Sequence, residues 1–209
     1  MQARWYFDFV SPFSYLQLAR LGTLRARLAI EPVPIVFGAV LKANGTLGPA
    51  EIASKRAFTY RFVQWQAERA GLPLAFPPAH PFNPLAALRL CIAAGGGWDA
   101  VASIFDHFWK HGRAGETAAQ LAVPGRTLGI ADVGAAIADP AVKAALRANT
   151  DEAIAAGVYG VPTVRIGDTL FWGNDATPML EDWLARPQRF DAEAYRRLAA
   201  LPVGTERPR

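Results

Sequence analysis

The stretch that decides the fold is Tyr6–Tyr15, which reads YFDFVSPFSY. Its first half belongs to Arg4–Val10 (RWYFDFV), which is aromatic and mostly apolar, as is typical of a buried central strand. Ser11-Pro12 then ends the strand and begins a helix, because serine caps helix N-termini and proline suits the first helical position. One apolar helical face predicts that this helix runs to about Leu28. A second strand at Glu31–Phe37 completes a βαβ unit, which implies a parallel strand pair.

The middle of the chain differs from its two ends. Nearly every segment between residues 51 and 157 has a helical sequence, and the predicted helices are Glu51–Ala70, Pro84–Ala94, Trp98–His111, Ile130–Ala138 and Pro140–Ala156. Strand character returns at Val161–Ile166 and Thr169–Trp172, which the dipeptide Gly167-Asp168 joins as a tight hairpin. Two further helices are predicted at Pro178–Leu184 and Asp191–Leu201, followed by a frayed tail at residues 204–209. The order is βαβ, a helical block, then ββα.

Composition excludes several classes of protein. The chain has 209 residues, of which 52% are hydrophobic and 19% charged, so we expect a folded globule with a sizeable core. The formal charge of +4 is too small and too dispersed for nucleic-acid binding, and no apolar run is long enough to cross a membrane. The N-terminus shows no secretory signal, and the one cysteine, Cys91, excludes a disulfide framework and a cysteine-based zinc site. We therefore expect a soluble cytoplasmic protein without a metal, in which His107 and His111, one helical turn apart, are structural.

Ser11 and Ser14 lie where the first strand meets the first helix, and ligands of open α/β sheets bind at such junctions. The thioredoxin fold places a Cys-x-x-Cys pair at this corner, where the helix terminus stabilises a thiolate. Serine cannot form a disulfide, so the chain cannot itself be a dithiol oxidoreductase. Its hydroxyl can instead donate a hydrogen bond to a thiolate brought by a ligand. The alternative is that Ser11 is only a helix cap.

Two later segments complete the candidate site. Val161-Pro162 follows the helical block and precedes the hairpin, which is where a thioredoxin fold carries a cis-proline whose preceding residue offers backbone N–H and C=O to a peptide thiol. The segment Trp172–Asp175 ends the hairpin before a helix. Thr177-Pro178 can cap that helix, so Asp175 is free to bind an ammonium group of a ligand. Asn174 and nearby backbone N–H groups can bind a carboxylate of the same ligand. Such contacts suit the γ-glutamyl end of glutathione, although Asp175 could also act as a cap.

Together these segments resemble the 2-hydroxychromene-2-carboxylate isomerase family, which is close to kappa-class glutathione transferases and the wider disulfide-oxidoreductase thioredoxins. The match covers nearly the whole chain, and the motifs that carry it are Tyr6–Tyr15, Lys42 within Leu41–Gly45, Phe76–Asn83 and Gly157–Asp175. The resemblance implies an α/β thioredoxin-like fold with a large all-helical insertion, made of residues 1–45 and 158–209 around an insertion at 46–157.

The resemblance also implies roles for individual residues. Ser11 would be catalytic and would bind glutathione, and the other glutathione-binding residues would be Val161, Pro162, Trp172, Gly173, Asn174 and Asp175. Lys42, Phe82 and Asn83 would bind the substrate. The chain has Glu51-Ile52 where the isomerase pocket has an Asn-Arg pair, so the resemblance is closer for the cofactor than for the substrate.

The implied activity is glutathione-dependent cis–trans isomerisation of a 2-hydroxychromene-2-carboxylate-like intermediate of aromatic catabolism. The expected partners are glutathione, a small anionic aromatic substrate and a second copy of the chain in a homodimer. Two alternatives remain: a kappa-type glutathione transferase, in which the thiol stays on the product, and a non-catalytic thioredoxin-like binding module.

Overall fold

A computed structural model describes residues 1–205, in which both ends of the chain build one four-stranded sheet. The strands are β1 (Gln2–Phe7), β2 (Ala29–Pro34), β3 (Thr163–Ile166) and β4 (Thr169–Trp172), in the order β2-β1-β3-β4. Helix α1 (Pro12–Leu24) connects β1 to β2, which pair in parallel, whereas β1–β3 and β3–β4 pair antiparallel. This is the thioredoxin-like arrangement that the βαβ and ββα segments predict.

Seven helices lie between β2 and β3 in the described chain. They are α2 (Phe37–Ala43), α3 (Ala53–Ala70), α4 (Leu85–Ala93), α5 (Trp98–Phe105), α6 (Ala122–Thr127), α7 (Val133–Ala138) and α8 (Pro140–Ala155). A short 3-10 helix, Pro49–Glu51, precedes α3, and a π-helical turn, Asp106–Lys110, follows α5. The large helical insertion predicted from the sequence is therefore present, and α8 contacts β2 and α2 as well as α4 and α7. The division at residues 45/46 and 157/158 stays a prediction.

Two helices of this block were missed. Helix α6 has the sequence AVPGRT, in which Pro124 and Gly125 are both poor helix formers, so its pattern indicates a break. Helix α2 begins at Phe37, where the sequence predicts the end of the second strand. That strand ends earlier, at Pro34, because side chains from other segments bind the amides of Val36 and Phe37. Thr150 Oγ1 accepts from Val36 N at 3.1 Å, and Asp8 Oδ2 accepts from Phe37 N at 2.9 Å.

The core explains why β1 is apolar on both faces. Trp5 and Phe7 point into one cluster, where they pack with Phe105 from α5, while Tyr6 points into a second cluster with Val33. A strand buried on both faces needs apolar residues at successive positions rather than alternating ones. The end of β1 is thereby fixed in position, and the candidate site begins at that end.

The C-terminal part follows β4. It contains a 3-10 helix at Asn174–Ala176, helix α9 (Thr177–Ala185), a 3-10 helix at Pro187–Arg189 and helix α10 (Glu193–Ala199). Residues 206–209, which belong to the predicted frayed tail and to the predicted thioredoxin-like domain, lie outside the described residues. Within residues 1–205, no helix combines the length and hydrophobicity that crossing a membrane requires.

Candidate active site

Ser11 lies at the junction of β1 and α1 and lines a large cavity of the described chain. It is the N-cap of α1, and its Oγ accepts a hydrogen bond from Ser14 N at 3.3 Å. The predicted cap is therefore confirmed. The cap uses a lone pair of the hydroxyl oxygen, so the O–H proton stays available for a ligand in the cavity. The two roles considered for Ser11 are compatible.

Asp8 fixes the backbone at the junction of β1 and α1. Its side chain is fully buried, Oδ1 accepts from Val10 N at 3.0 Å, and Oδ2 accepts from Phe37 N. The carboxyl group thus joins the end of β1 to the start of α2 by holding backbone donors at the corner. Burial raises the pKa of Asp8 to about 7, against the effect of the amide donors, which lower it.

His80, to which the sequence pattern assigns no role of its own, holds the same corner from the helical insertion. Its Nε2 lies 2.8 Å from Val10 O, and its Nδ1 lies 2.9 Å from the hydroxyl of Tyr60. A carbonyl only accepts, so Nε2 carries the proton. Burial lowers the pKa of His80. The Tyr60 hydroxyl also donates to the backbone carbonyl of His80 at 2.7 Å, so Tyr60 holds both the ring and the main chain of this residue. The only signal for His80 in the sequence is its place inside the segment Phe76–Asn83.

Val161 carries two unused backbone groups into the cavity wall. The Val161-Pro162 bond is cis, in agreement with the cis-proline interpretation. Val161 is only 7% exposed, yet its backbone N–H and C=O make no hydrogen bond with any other described residue. Buried backbone groups are nearly always paired, so this edge is suited to a ligand that adds backbone hydrogen bonds of its own. Pro162 lies behind the wall, and its carbonyl accepts from Gly173 N at 2.8 Å.

Trp172 and Gly173 form the wall beyond Val161. The indole is half exposed and meets Tyr159 edge to face, with ring centroids 5.1 Å apart. It also covers Gly160, where a Cβ atom would lie 2.3 Å from Trp172 Nε1. Gly173 has a φ of 92°, and a Cβ there would lie 2.3 Å from Asp175 Oδ1, so only glycine lets the Asp175 carboxylate fold over this turn.

Asn174 and Asp175 have different surroundings. Asp175 is exposed and lines the cavity. The Asn174 side chain is buried, and its Nδ2 donates to Gln66 Oε1 at 2.7 Å, so the amide fastens this turn to α3 rather than facing a ligand carboxylate. The predicted cap at Thr177 is wrong, because Thr177 is already the first residue of α9 and its hydroxyl donates to Asn174 O at 2.8 Å.

The cavity has a volume of about 850 Å³, within the size range of small-molecule sites. Phe82 and Asn83 line it, as predicted for substrate-binding residues, and Asn83 is anchored by its N–H to Glu116 Oε1 at 2.8 Å. Lys42 is not part of the wall. It is exposed on the last turn of α2, where Leu41 and Asn44 face the cavity instead. The structure therefore brings together the predicted site residues except Lys42, the covered Pro162 and the side chain of Asn174.

His107 lies in the π-helical turn that follows α5, and His111 comes directly after that turn. The His107 ring is buried, and its Nε2 lies 2.8 Å from Ala114 O. No group of three His, Cys, Asp or Glu side chains within residues 1–205 is arranged to hold a metal ion.

Comparison with known proteins agrees with this geometry. The model of the DSBA-like thioredoxin domain family matches residues 4–185. A 2-hydroxychromene-2-carboxylate isomerase of Pseudomonas putida is 33% identical, and the alignment covers 90% of this chain and 97% of that one. Glutathione S-transferase kappa 2 of Caenorhabditis elegans is 28% identical, with 88% and 92% covered. A solved structure of a 2-hydroxychromene-2-carboxylate isomerase superposes with a TM-score of 0.78 at 29% identity, covering 93% of this chain and 99% of the other.

Proposed function

Because the chain belongs to the DSBA-like thioredoxin domain family, among the 2-hydroxychromene-2-carboxylate isomerases, we propose that it is a glutathione-dependent cis–trans isomerase of aromatic catabolism. One observation carries the glutathione dependence: Val161 is a buried residue that lines the same cavity as Ser11, and its backbone N–H and C=O make no hydrogen bond in the described chain. An extended peptide thiol is a ligand that can use both features, since its own amide pairs with Val161 while its sulfur reaches the serine corner.

The residues of the wall fit the remaining groups of glutathione. The Asp175 carboxylate is exposed to the cavity and has no ion-pair partner among the described residues, so it can bind the γ-glutamyl ammonium. Trp172 supplies a half-exposed aromatic face beside it. The family resemblance gives the same run of residues, Trp172 to Asp175, to glutathione. With the Asn174 side chain held by Gln66, that residue contributes through its backbone.

Bound glutathione would supply a thiolate, whose reversible addition to a conjugated carbon converts a double bond into a bond that can rotate. The task of the protein is to keep the sulfur ionised and in place. Ser11 can donate its hydroxyl proton to the sulfur while its oxygen still accepts from Ser14 N, and a hydrogen bond to the ionised form favours ionisation. Asp8, His80 and Trp109 hold the backbone of residues 8–10, which sets the direction of Ser11.

The experiment that tests this proposal measures both the need for glutathione and its fate. We expect isomerisation to stop when glutathione is removed completely, and to continue through many turnovers without loss of glutathione when it is restored. Full activity after exhaustive removal of glutathione would contradict the proposal.

The similarity to a kappa-class transferase supports a second candidate function, in which the thiol stays on the product. Consumption of one glutathione per turnover would establish it. A protein that does not bind glutathione in calorimetry would instead fit the third reading, a non-catalytic binding module.

We also propose that the protein acts in the cytoplasm as a homodimer. Cytoplasmic thiols are kept reduced, which a thiolate-dependent enzyme requires. Support for the dimer comes from α3, where Phe58, Phe62 and Trp65 stack along one side, with Phe58 62% and Trp65 49% exposed. Exposed apolar patches of this kind often mark protein interfaces. Light scattering of the wild type and of Phe58→Ser checks the oligomeric state, and a monomeric wild type would contradict the proposal.

A further inference from the structure

The charged side chains in the cavity wall are all acidic. Within residues 1–205, Asp8, Glu51 and Asp175 line the cavity, and no lysine or arginine does. Asp8 is buried and holds two backbone amides, and Asp175 belongs to the part of the wall assigned to glutathione. Glu51 is the remaining charge, on the side of the cavity formed by the helical insertion.

Glu51 makes no ion pair in the part of the chain that the structure describes. Its Oε2 accepts from Gly48 N at 2.6 Å. Arg56 lies close enough to His80 to lower its pKa, but the Arg56 guanidinium donates to Ala50 O and is not part of the wall. An anionic group entering this side of the cavity would therefore meet a like charge without a positive partner.

The rest of this side is apolar or neutral. Phe37, Leu41, Phe62 and Phe82 supply hydrocarbon surface. Thr59 and Asn83 add neutral hydrogen-bond donors: neither the Thr59 hydroxyl nor Asn83 Nδ2 donates to another described residue. One or two neutral donors are enough to bind a carbonyl or hydroxyl oxygen.

We infer that the compound bound opposite glutathione is an uncharged, largely apolar conjugated ketone rather than an aromatic carboxylate. A carboxylate would lose part of its hydration in an apolar cavity without gaining a cationic partner, and it would be repelled by Glu51. A ketone loses less hydration and can accept from the neutral donors. This inference rests on the proposed function and narrows its substrate class, away from the anionic substrate expected from the sequence.

The test uses two pairs of ketones. Within each pair, one compound carries a methyl group on the ketone carbon and the other carries a carboxylate there. Benzylacetone and benzylpyruvate are unreactive, so their binding to the glutathione-loaded protein is measured by calorimetry. The cis isomers of benzylideneacetone and benzylidenepyruvate report turnover. We expect the neutral member of each pair to be preferred by at least about tenfold, in affinity and in kcat/KM, because the charged member meets an unpaired acidic wall.

Glu51→Gln tests the source of the preference, since glutamine can still accept from Gly48 N. We expect it to improve binding of benzylpyruvate by about threefold to tenfold and to leave benzylacetone unchanged. Glu181→Gln is the matched control, because Glu181 is an exposed carboxylate of α9 outside the wall. Lys42→Ala should affect neither compound.

Preference for the carboxylates, or a selective loss of benzylpyruvate binding in Lys42→Ala, would overturn the inference. Glutathione affinity is measured alone in each variant. Normal glutathione binding with a preference for carboxylates refutes only the substrate class, whereas absence of glutathione binding refutes the proposed function itself.

Discussion

Replacement of Ser11 by alanine removes two interactions that can be measured separately. The first is the cap of α1, a single hydrogen bond of 3.3 Å from Ser14 N to Ser11 Oγ. Loss of a serine cap costs about 1 kcal/mol, which lowers Tm by about 2–4 °C in a protein of this size. Differential scanning calorimetry of the two proteins without glutathione measures this change in Tm alone.

The second interaction is the proposed hydrogen bond from the Ser11 hydroxyl to the glutathione sulfur. If it exists, the bound thiol has a lower pKa than the free tripeptide, and Ser11→Ala raises that pKa. Ultraviolet absorbance of the bound thiolate near neutral pH should fall together with activity, and alkaline pH should restore part of both. The protein itself adds no thiolate signal, because burial raises the pKa of Cys91 to about 12. Ser11→Cys should not restore isomerisation, since its sulfur would occupy the place of the glutathione sulfur.

Ser14→Ala is the matched control for Ser11→Ala. Ser14 Oγ is completely buried and has no hydrogen-bond partner in the described chain, while the backbone N–H of residue 14, which supplies the cap bond, is retained in Ser14→Ala. Removing an unsatisfied buried hydroxyl should leave the thiol titration unchanged and keep or raise Tm. An unshifted thiolate titration in Ser11→Ala, beside a lowered Tm, would refute the catalytic role and leave Ser11 as a cap.

Three further predictions concern two cavity residues, Asp8 and Gly160, and the buried Cys91. Burial raises the pKa of Asp8 to about 7, so the folded protein keeps a proton that the unfolded chain releases. The free energy of unfolding should therefore fall between about pH 4 and pH 7, by up to about 1.4 kcal/mol per pH unit, and Asp8→Asn should remove this slope in urea titrations at several pH values. Gly160→Ala should displace Trp172 and weaken glutathione binding, measured by calorimetry. Gly22→Ala is the control, because no atom lies within 4 Å of the added Cβ, and it should bind glutathione normally. Equal glutathione affinities of the two variants would show that Trp172 does not form the site. A chromogenic thiol reagent should leave Cys91 unmodified in the native protein and react after denaturation, and rapid reaction of the native form would contradict its burial.

The parts of the fold that local sequence specifies were predicted well. The continuous apolar run of β1, the Ser11-Pro12 helix start and the hairpin turn at Gly167-Asp168 each have a local physical cause, and all three occur. The early end of β2 and the start of α2 could not be predicted, because they depend on Asp8 and on Thr150, which is distant in the chain. The residues near the end of β2 do not indicate which distant side chains will bind their backbone amides.

The site residues that could be predicted are also those with a local cause in the sequence. Val161 and Ser11 were predicted because each has a position defined by a proline and a strand end. Lys42 was placed in the pocket by resemblance, but the orientation of α2 presents Leu41 to the cavity instead. His80 was missed because its role depends on meeting Val10 O, 70 residues away in sequence.

These long-range contacts also indicate why the helical insertion matters for chemistry. Where β1 leaves the sheet, the carbonyls of Phe9 and Val10 have no strand partner, and an unpaired buried carbonyl is costly. Two side chains of the insertion satisfy them: Trp109 Nε1 donates to Phe9 O at 2.8 Å, and His80 Nε2 donates to Val10 O. Ser11 follows directly, so the direction of its hydroxyl depends on donors from outside the sheet. The insertion therefore does more than cover the substrate, because it also fixes the backbone from which the proposed thiolate contact is made.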